Sequence, residues 1–218
     1  MHKYFTVLTI SLFCFFTALF TGCQQVVPEL SQSSYSVIFD YDKENAKPES
    51  RLCIFLESES DVRRYDSVKI ISKETGYIWN IDEIARIKAD GRQWAGNTNI
   101  VVPENEKIPN GLYEITFYNA DEKNTTVSMN VSYDTAVYEL KLEKVEEYMA
   151  NHNATNKIVI YDEDGAILYF GEKTEETTTV RDIWNNYINA KTYQDIWCTN
   201  NDVIICIMPL KKVELNSL

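Results

Sequence analysis

The sequence predicts a mainly β protein that ends in a small α+β module, and three observations support this fold class. Between residues 35 and 132, runs of alternating apolar and polar residues are separated by turn signals about every ten residues, as in a β-sandwich. After residue 133, two hairpin patterns flank a helical pattern. Hydrophobic residues make up 44% of the 218 residues, which is enough for one or two packed cores.

The predicted strands of the sandwich follow one another along the chain from Tyr35. Apolar residues recur at every second position in most of them, so we expect each strand to bury one face. Residues 73–76 turn the chain between the third and fourth strands, and residues 120–124 close a predicted hairpin. The predicted strands are residues 36–41, 51–57, 66–72, 77–81, 99–102, 112–119 and 125–132.

Residues 108–117 carry a more specific pattern, Ile-Pro-Asn-Gly-Leu-Tyr-Glu-Ile-Thr-Phe. It resembles the loop-to-strand corner of immunoglobulin-like and fibronectin type III-like domains, where a tyrosine at the start of a strand bonds back to the preceding loop. Tyr113 holds that place here, and the alternation puts Tyr113, Ile115 and Phe117 on one face. The resemblance implies an antiparallel immunoglobulin-like β-sandwich over residues 35–132.

The C-terminal module, residues 133–218, is predicted to be a hairpin, a helix and a second hairpin. Gly165 supplies the positive φ that the first turn needs. Thr179 is the expected N-cap of the helix, with Asp182 as its partner in a box-like arrangement. A further helix is expected from about Val145, and residues 136–145 fit a strand and a helix equally. The hairpin arms are residues 157–161 with 166–170 and residues 193–198 with 203–208, and the apolar helix stripe is Val180, Ile183, Trp184, Tyr187 and Ile188.

The first 22 residues resemble the signal peptide of a bacterial lipoprotein. Lys3 gives a positive start, residues 5–20 are almost wholly apolar, and Leu-Phe-Thr-Gly-Cys at residues 19–23 resembles a lipobox. In that family the signal is cut between the residues that are Gly22 and Cys23 here, and the cysteine thiol receives a diacylglyceryl group. A transmembrane anchor is the alternative, but the apolar run is short for one and no positive stop follows it.

The lipoprotein resemblance implies a location and a membrane partner. Acyl chains on Cys23 would hold the protein in a membrane of the cell envelope. Residues 23–34 are polar at their end and are predicted to be a flexible tether. Because Gln24 rather than an aspartate follows the cysteine, the resemblance favours the outer membrane.

The charge of the chain excludes one class of partner. Removing the leader, which holds one lysine and no acid, changes the net charge from −12 to −13. A protein this acidic repels phosphate backbones, so we expect no nucleic-acid partner.

Three cysteines remain in addition to Cys23: Cys53, Cys198 and Cys206. Cys198 and Cys206 lie on the two arms of the last hairpin, and a disulfide joins them if the arms set them opposite each other. We favour the other interpretation, in which the three thiols are small buried apolar groups in strands.

The sequence contains no recognisable catalytic or metal-binding set. His152 is the one histidine after the leader and has no accompanying nucleophile motif, so we expect a solvated loop residue. Residues 162–165 lack the spacing of a calcium loop and are predicted to be a turn. Residues 91–98 have the glycine spacing of a phosphate loop, but Asn97 replaces its lysine, so a surface loop is expected. The prediction is therefore a protein without enzymatic activity, metal or cofactor.

Aromatic residues are the one feature in excess, with 14 Tyr and 4 Trp. Tyr77, Trp79 and Trp94 lie in or near predicted loops of the sandwich, and exposed aromatic rings form platforms for proteins or sugars. Trp184 and Trp197 are predicted to be core residues from their spacing, and Trp79 can also alternate inward. Trp94 is therefore the main candidate for an exposed binding residue.

Together these patterns favour a lipid-anchored protein of the cell envelope that binds or assembles with a protein or a glycan. The step from fold to function is an analogy, because sandwiches host many functions. One alternative is a hydrolase of envelope polymers that uses two carboxylates, supported only by the abundance of acids. The other is a structural lipoprotein without a specific partner.

Overall fold

The computed structural model describes residues 29–42 and 47–214, and these residues are mainly β. The predicted mainly β class is therefore confirmed. The expected signal peptide, Gly22 and Cys23 lie outside the described residues. Within the described ranges, no helix is both long enough and apolar enough to cross a bilayer.

Thirteen strands and two α-helices, joined by short 3-10 turns, make up the described part of the chain. The helices are α1 (Leu142–Asn151) and α2 (Val180–Asn186). The strands are β1 (Leu30–Asp40), β2 (Glu49–Ser58), β3 (Tyr65–Ser72), β4 (Ile78–Ile81), β5 (Ala85–Ala89), β6 (Arg92–Ile100), β7 (Gly111–Asn119), β8 (Asn124–Val131), β9 (Thr155–Tyr161), β10 (Ile167–Glu172), β11 (Thr192–Cys198), β12 (Ile204–Ile207) and β13 (Lys211–Lys212).

The strands form two sheets. The larger has nine strands in the order β10-β9-β11-β12-β1-β2-β6-β5, with β13 added beside β11, and the smaller has the order β4-β3-β7-β8. β1 runs parallel to β12, with Val37 opposite Ile204, and the other pairs are antiparallel. The strands after residue 133 thus extend the sheet that contains β1. The boundary expected at 132/133 does not separate two sheets.

Both hydrophobic cores lie on the same face of the nine-stranded sheet. The smaller sheet and α1 cover this face over β1, β2 and β6, and α2 covers it over β9 and β11. On β11, Trp197 packs against the larger core and Tyr193 against the smaller one. Residues an even number of positions apart share a face of a strand, which places the two cores on one side. Two sheets that share a core are compatible with a β-sandwich.

Several local predictions match the structure because short-range contacts determine them. On β7, Tyr113, Ile115 and Phe117 are buried while the residues between them are partly exposed. Gly165 has a φ of 77° in the turn between β9 and β10. Thr179 and Asp182 form a capping box at the start of α2, which satisfies backbone N–H groups of the first turn.

The region between residues 133 and 151 contains no strand. Residues 135–139 form a 3-10 turn in which the Asp134 side chain accepts the N–H of Ala136, and α1 follows from Leu142. The ambiguous residues 136–145 are therefore helical turns rather than a strand. Alternating apolar residues gave the strand-like pattern, but Val137, Tyr138 and Val145 all reach the larger core from these turns.

Two predictions along the chain require correction. Residues 91–98 are not a surface loop, because all but Gly91 belong to β6, which pairs with β2 and β5. The hairpin of β5 and β6 turns at Asp90 and Gly91, whose φ values of 53° and 76° suit a two-residue turn of the Asp-Gly type. β1 begins at Leu30, so the last five residues of the expected tether belong to a strand that pairs with β2.

Candidate binding surface

Tyr77 and Trp79, two of the predicted binding aromatics, lie together on the smaller sheet. Their ring centroids are 5.8 Å apart. Trp79 stacks on the buried ring of Tyr113 at 6.2 Å, and its Nε1 donates to the carbonyl of Val101 at 2.7 Å. The polar edge and one face of this indole are therefore occupied within the protein. Trp79 alternates inward and packs against the larger core.

The Tyr77 hydroxyl donates to the carboxylate of Glu106, and this bond raises the pKa of the hydroxyl above its ordinary value. The bond joins the start of β4 to the loop between β6 and β7. Tyr77 therefore stabilises the position of that loop, and its hydroxyl proton is not available to a ligand.

Trp94 lies on a different sheet from these two residues. Ala95 beside it is fully buried in the larger core, so the side chain of Trp94 points to the opposite, outer face of the nine-stranded sheet. It stands across from Glu57 on β2 and Ile87 on β5 and is partly buried. The three aromatics predicted as binding residues do not form one platform.

The expectation that Trp184 is a core residue is wrong, since half of its surface is exposed. The helix α2 has only two turns and buries Ile183 in the smaller core, where Val180 and Tyr187 of the predicted stripe also pack, while Trp184 and Ile188 lie outside this core. Ile188 follows the end of the helix and is 93% exposed. Trp197 packs partly against the larger core, in line with its spacing.

The three described cysteines, Cys53, Cys198 and Cys206, are free thiols. The register sets Cys206 opposite Trp197 and Cys198 opposite Ile205, so the two thiols lie on opposite faces of the sheet. Burial raises the pKa of Cys53 and Cys198 to about 11 and that of Cys206 to about 12. Protonated, buried thiols are unreactive, which suits the interpretation of these cysteines as small apolar groups.

His152 and the acidic turn have structural roles in the described part of the chain. The imidazole of His152 stacks on Tyr148 at 4.1 Å and bonds through Nδ1 to the Tyr148 carbonyl, at the end of α1.

Asp162 accepts the N–H groups of Asp164 and Ala166, which shapes the turn between β9 and β10. Residues 29–42 and 47–214 hold no cluster of three or more His, Cys, Asp or Glu residues suited to a metal.

A cleft of about 320 Å³ lies beside this turn. Its walls are the acidic residues 162–164, together with Ile188, Asn189 and Lys191. Ligand pockets are usually apolar with a few convergent polar groups, and this open, polar cleft lacks that character. The cleft does not place a nucleophile beside a base.

Exposed large apolar side chains are most frequent in the C-terminal part of the described residues, and three of them lie on β10. Six of the ten large hydrophobic side chains that are exposed in the described residues lie between positions 167 and 210. Ile167 and Phe170, on β10, are 62% and 60% exposed. The six residues are Ile167, Leu168, Phe170, Trp184, Ile188 and Leu210. Several exposed apolar side chains on one strand, such as the three on β10, mark interaction sites more often than isolated exposed residues do.

Sequence reasoning missed this surface. The run of apolar residues from Ala166 to Phe170 was visible, and a strand that is apolar on both faces needs a covering partner on each side. The position of β10 at the end of the sheet was not visible, because strand order depends on pairings between distant parts of the chain. We call residues 167–172 the β10 edge.

No family model matches this chain, and no curated protein or solved structure is significantly similar to it.

Proposed function

We propose that this protein is an exported lipoprotein, anchored through Cys23 in the cell envelope, whose folded part binds a protein partner without catalysing a reaction. The leader pattern and the lipobox-like residues 19–23 support the anchor. One structural observation supports the binding role, namely that three large apolar side chains of the β10 edge, Ile167, Leu168 and Phe170, are exposed. Two of these three side chains are aliphatic, so the strand offers no platform of aromatic rings for a glycan and suits a protein partner better.

The anchor is tested by labelling cells with radioactive palmitate. We expect label in the wild-type protein and none in Cys23→Ser, which should also lose its place in the membrane fraction because its acyl chains are missing. Cys53→Ser is the matched control, since Cys53 is a free thiol of the fold and the label should enter this variant normally. Equal labelling of Cys23→Ser would show that the anchor is assigned to the wrong residue.

The binding role is tested by photocrosslinking in intact envelopes. A photoreactive residue at position 170 should give a discrete protein adduct, because Phe170 lies on the proposed surface. The same residue at position 78 is the control, since Ile78 is 54% exposed on the other sheet. Identical adducts at both positions, or none at 170, would contradict a binding role for the surface near β10.

A further inference from the structure

β10 is the last strand of the nine-stranded sheet, and β9 is its one neighbour among the described strands. Lys173 donates its N–H to the carbonyl of Asn156 on the β9 side. Along an antiparallel edge strand, the N–H groups of alternate residues point towards the neighbouring strand and away from it. Since the N–H of Lys173 points towards β9, those of Glu172 and Phe170 point away from the sheet. The Glu172 carbonyl accepts the Tyr169 hydroxyl at 2.8 Å, while the Phe170 carbonyl has no such partner among the described residues.

The side chains of this edge do little to prevent pairing. Natural edge strands are commonly protected by lysine, proline or a bulge. The β10 edge has a bulge at Leu168, between Ile167 and Tyr169, but contains neither lysine nor proline. Phe170 lies beside Val159 and is 60% exposed, so a strand added outside β10 would cover an aromatic ring. Residues 169–172 therefore offer a regular edge with an apolar contact.

Acidic residues precede and follow β10 along the chain. None of the flanking carboxylates forms an ion pair with a described residue. The nearby lysines are already engaged, Lys157 with Asp202 at 3.6 Å and Lys173 with Asp195 at 2.6 Å, and Lys191 at the cleft offsets one acid. The flanking acids are Asp162, Glu163, Asp164, Glu172, Glu175 and Glu176.

This charge distribution indicates which kind of segment can pair with the β10 edge. If two copies paired their β10 strands in antiparallel fashion, the acidic turn of each would face the acids after Gly171 of the other. Parallel pairing would set identical acidic ends side by side. Like charges opposite each other in a sheet are destabilising, so a second copy is disfavoured and a basic segment is favoured.

We propose that the β10 edge binds an extended, cationic segment of a partner protein as an additional strand. Backbone bonds to Phe170 and Glu172 would align the segment, its apolar side chains would cover Phe170, and its lysines or arginines would meet the flanking acids. The proposal rests on the binding role described above and names the chemistry of the partner.

A synthetic peptide tests the proposal directly. The probe is a fluorescent eight-residue peptide in which valine alternates with lysine, and its binding to the purified folded protein is followed by fluorescence anisotropy. We expect the same peptide methylated at every backbone nitrogen to bind about tenfold more weakly, because it keeps the charge but cannot pair as a strand. A valine–glutamate peptide should not bind.

Protein variants locate the contact. Phe170→Lys should weaken binding about tenfold, since it removes the apolar cover and adds a like charge beside the peptide. Ile78→Lys is the matched control, because it adds the same charge at a similarly exposed position on the other sheet and should bind the peptide like the wild type. Hydrogen exchange of the wild-type protein gives a readout that needs no variant: the Phe170 and Glu172 amides should exchange more slowly with the peptide bound.

Binding that survives complete methylation would show that charge attraction alone holds the peptide, and it would overturn strand addition. Binding that is unchanged in Phe170→Lys, or exchange that is unchanged at Phe170 and Glu172, would place the contact elsewhere. None of these results affects palmitate labelling or crosslinking from position 170, so the proposed function and this inference fail independently.

Discussion

Tyr113 shows how a single side chain fixes the path of a loop. Its ring is fully buried, and its hydroxyl donates to the carbonyl of Pro109 at 2.8 Å. Burial raises the pKa of this hydroxyl, so it stays a neutral donor at any physiological pH. The bond joins the start of β7 to the loop before it, as the sequence pattern predicts. A phenylalanine would fill the same space and leave the carbonyl without its donor.

We expect Tyr113→Phe to lower the free energy of unfolding by about 1 kcal/mol, the usual net contribution of one hydrogen bond. Urea unfolding followed by circular dichroism measures this change. Tyr118→Phe, on the other face of β7, is the control and should have little effect. A loss for Tyr118→Phe as large as that for Tyr113→Phe would contradict the role given to the buried bond.

The residues that sequence reasoning placed well are those whose surroundings are local. Tyr113 contacts a carbonyl four positions away, and Thr179 pairs with Asp182 three positions away. Trp94 and Phe170 were not placed, because their exposure depends on which strands lie beside them. Trp94 is partly covered next to Glu57, which is 37 positions away in the sequence. Phe170 is exposed because no further strand among those described pairs with the outer side of β10.

At the scale of elements, Asp195 joins three segments of the C-terminal region. It lies on β11 and is nearly buried, yet it forms ion pairs with Lys173 after β10 and with Lys211 on β13, at 2.6 and 3.0 Å. Burial raises the pKa of the Asp195 carboxyl, but the two lysines outweigh this effect and hold the pKa below its ordinary value. The carboxylate is therefore ionised and stabilises the fold at neutral pH.

We expect Asp195→Asn to destabilise the protein by about 2 kcal/mol at neutral pH, since it removes two ion pairs, one of which includes a hydrogen bond to a charged lysine. A carboxyl whose pKa is lowered on folding stabilises the protein above its unfolded value, near 3.9, and this stabilisation is lost as pH falls through the folded value. The difference in the free energy of unfolding between wild type and variant should therefore decrease in acid.

Unfolding in urea at neutral pH and at about pH 3 measures this difference on either side of the unfolded pKa. Asp121→Asn, in the exposed turn after β7, is the control and should change stability little at either pH. If the difference in the free energy of unfolding between wild type and Asp195→Asn stays constant or increases in acid, the lysines do not keep the carboxylate charged.

At the scale of the molecule, the arrangement of strands joins the two halves of the chain. β1 lies between β2 and β12, and the larger core combines residues of both halves. From the first half come residues such as Phe39 and Leu52, and from the second come Met149 and Cys206. The sequence predicted two successive units because its patterns change character near residue 133. Pattern alone does not show that strands from the second unit complete the sheet of the first.

A fragment of residues 29–132 should therefore not fold by itself. It lacks β12 beside β1 and the apolar residues of α1, so part of the larger core would face water. We expect no cooperative unfolding transition in urea, in contrast to residues 29–214. A sigmoidal transition and dispersed amide resonances for the fragment would show that residue 133 does begin a separate unit.

The parallel pairing of β1 with β12 also affects when the fold can form. Val37 and Ile204 are 167 positions apart, so this contact closes a very long loop. Contacts at such separations slow folding, and until they form the open side of β1 is available for misassembly. A chain synthesised from its amino end cannot pair both sides of β1 until β12, near the end of the described residues, has been made. The native state is therefore reached only after nearly the whole polypeptide has been synthesised.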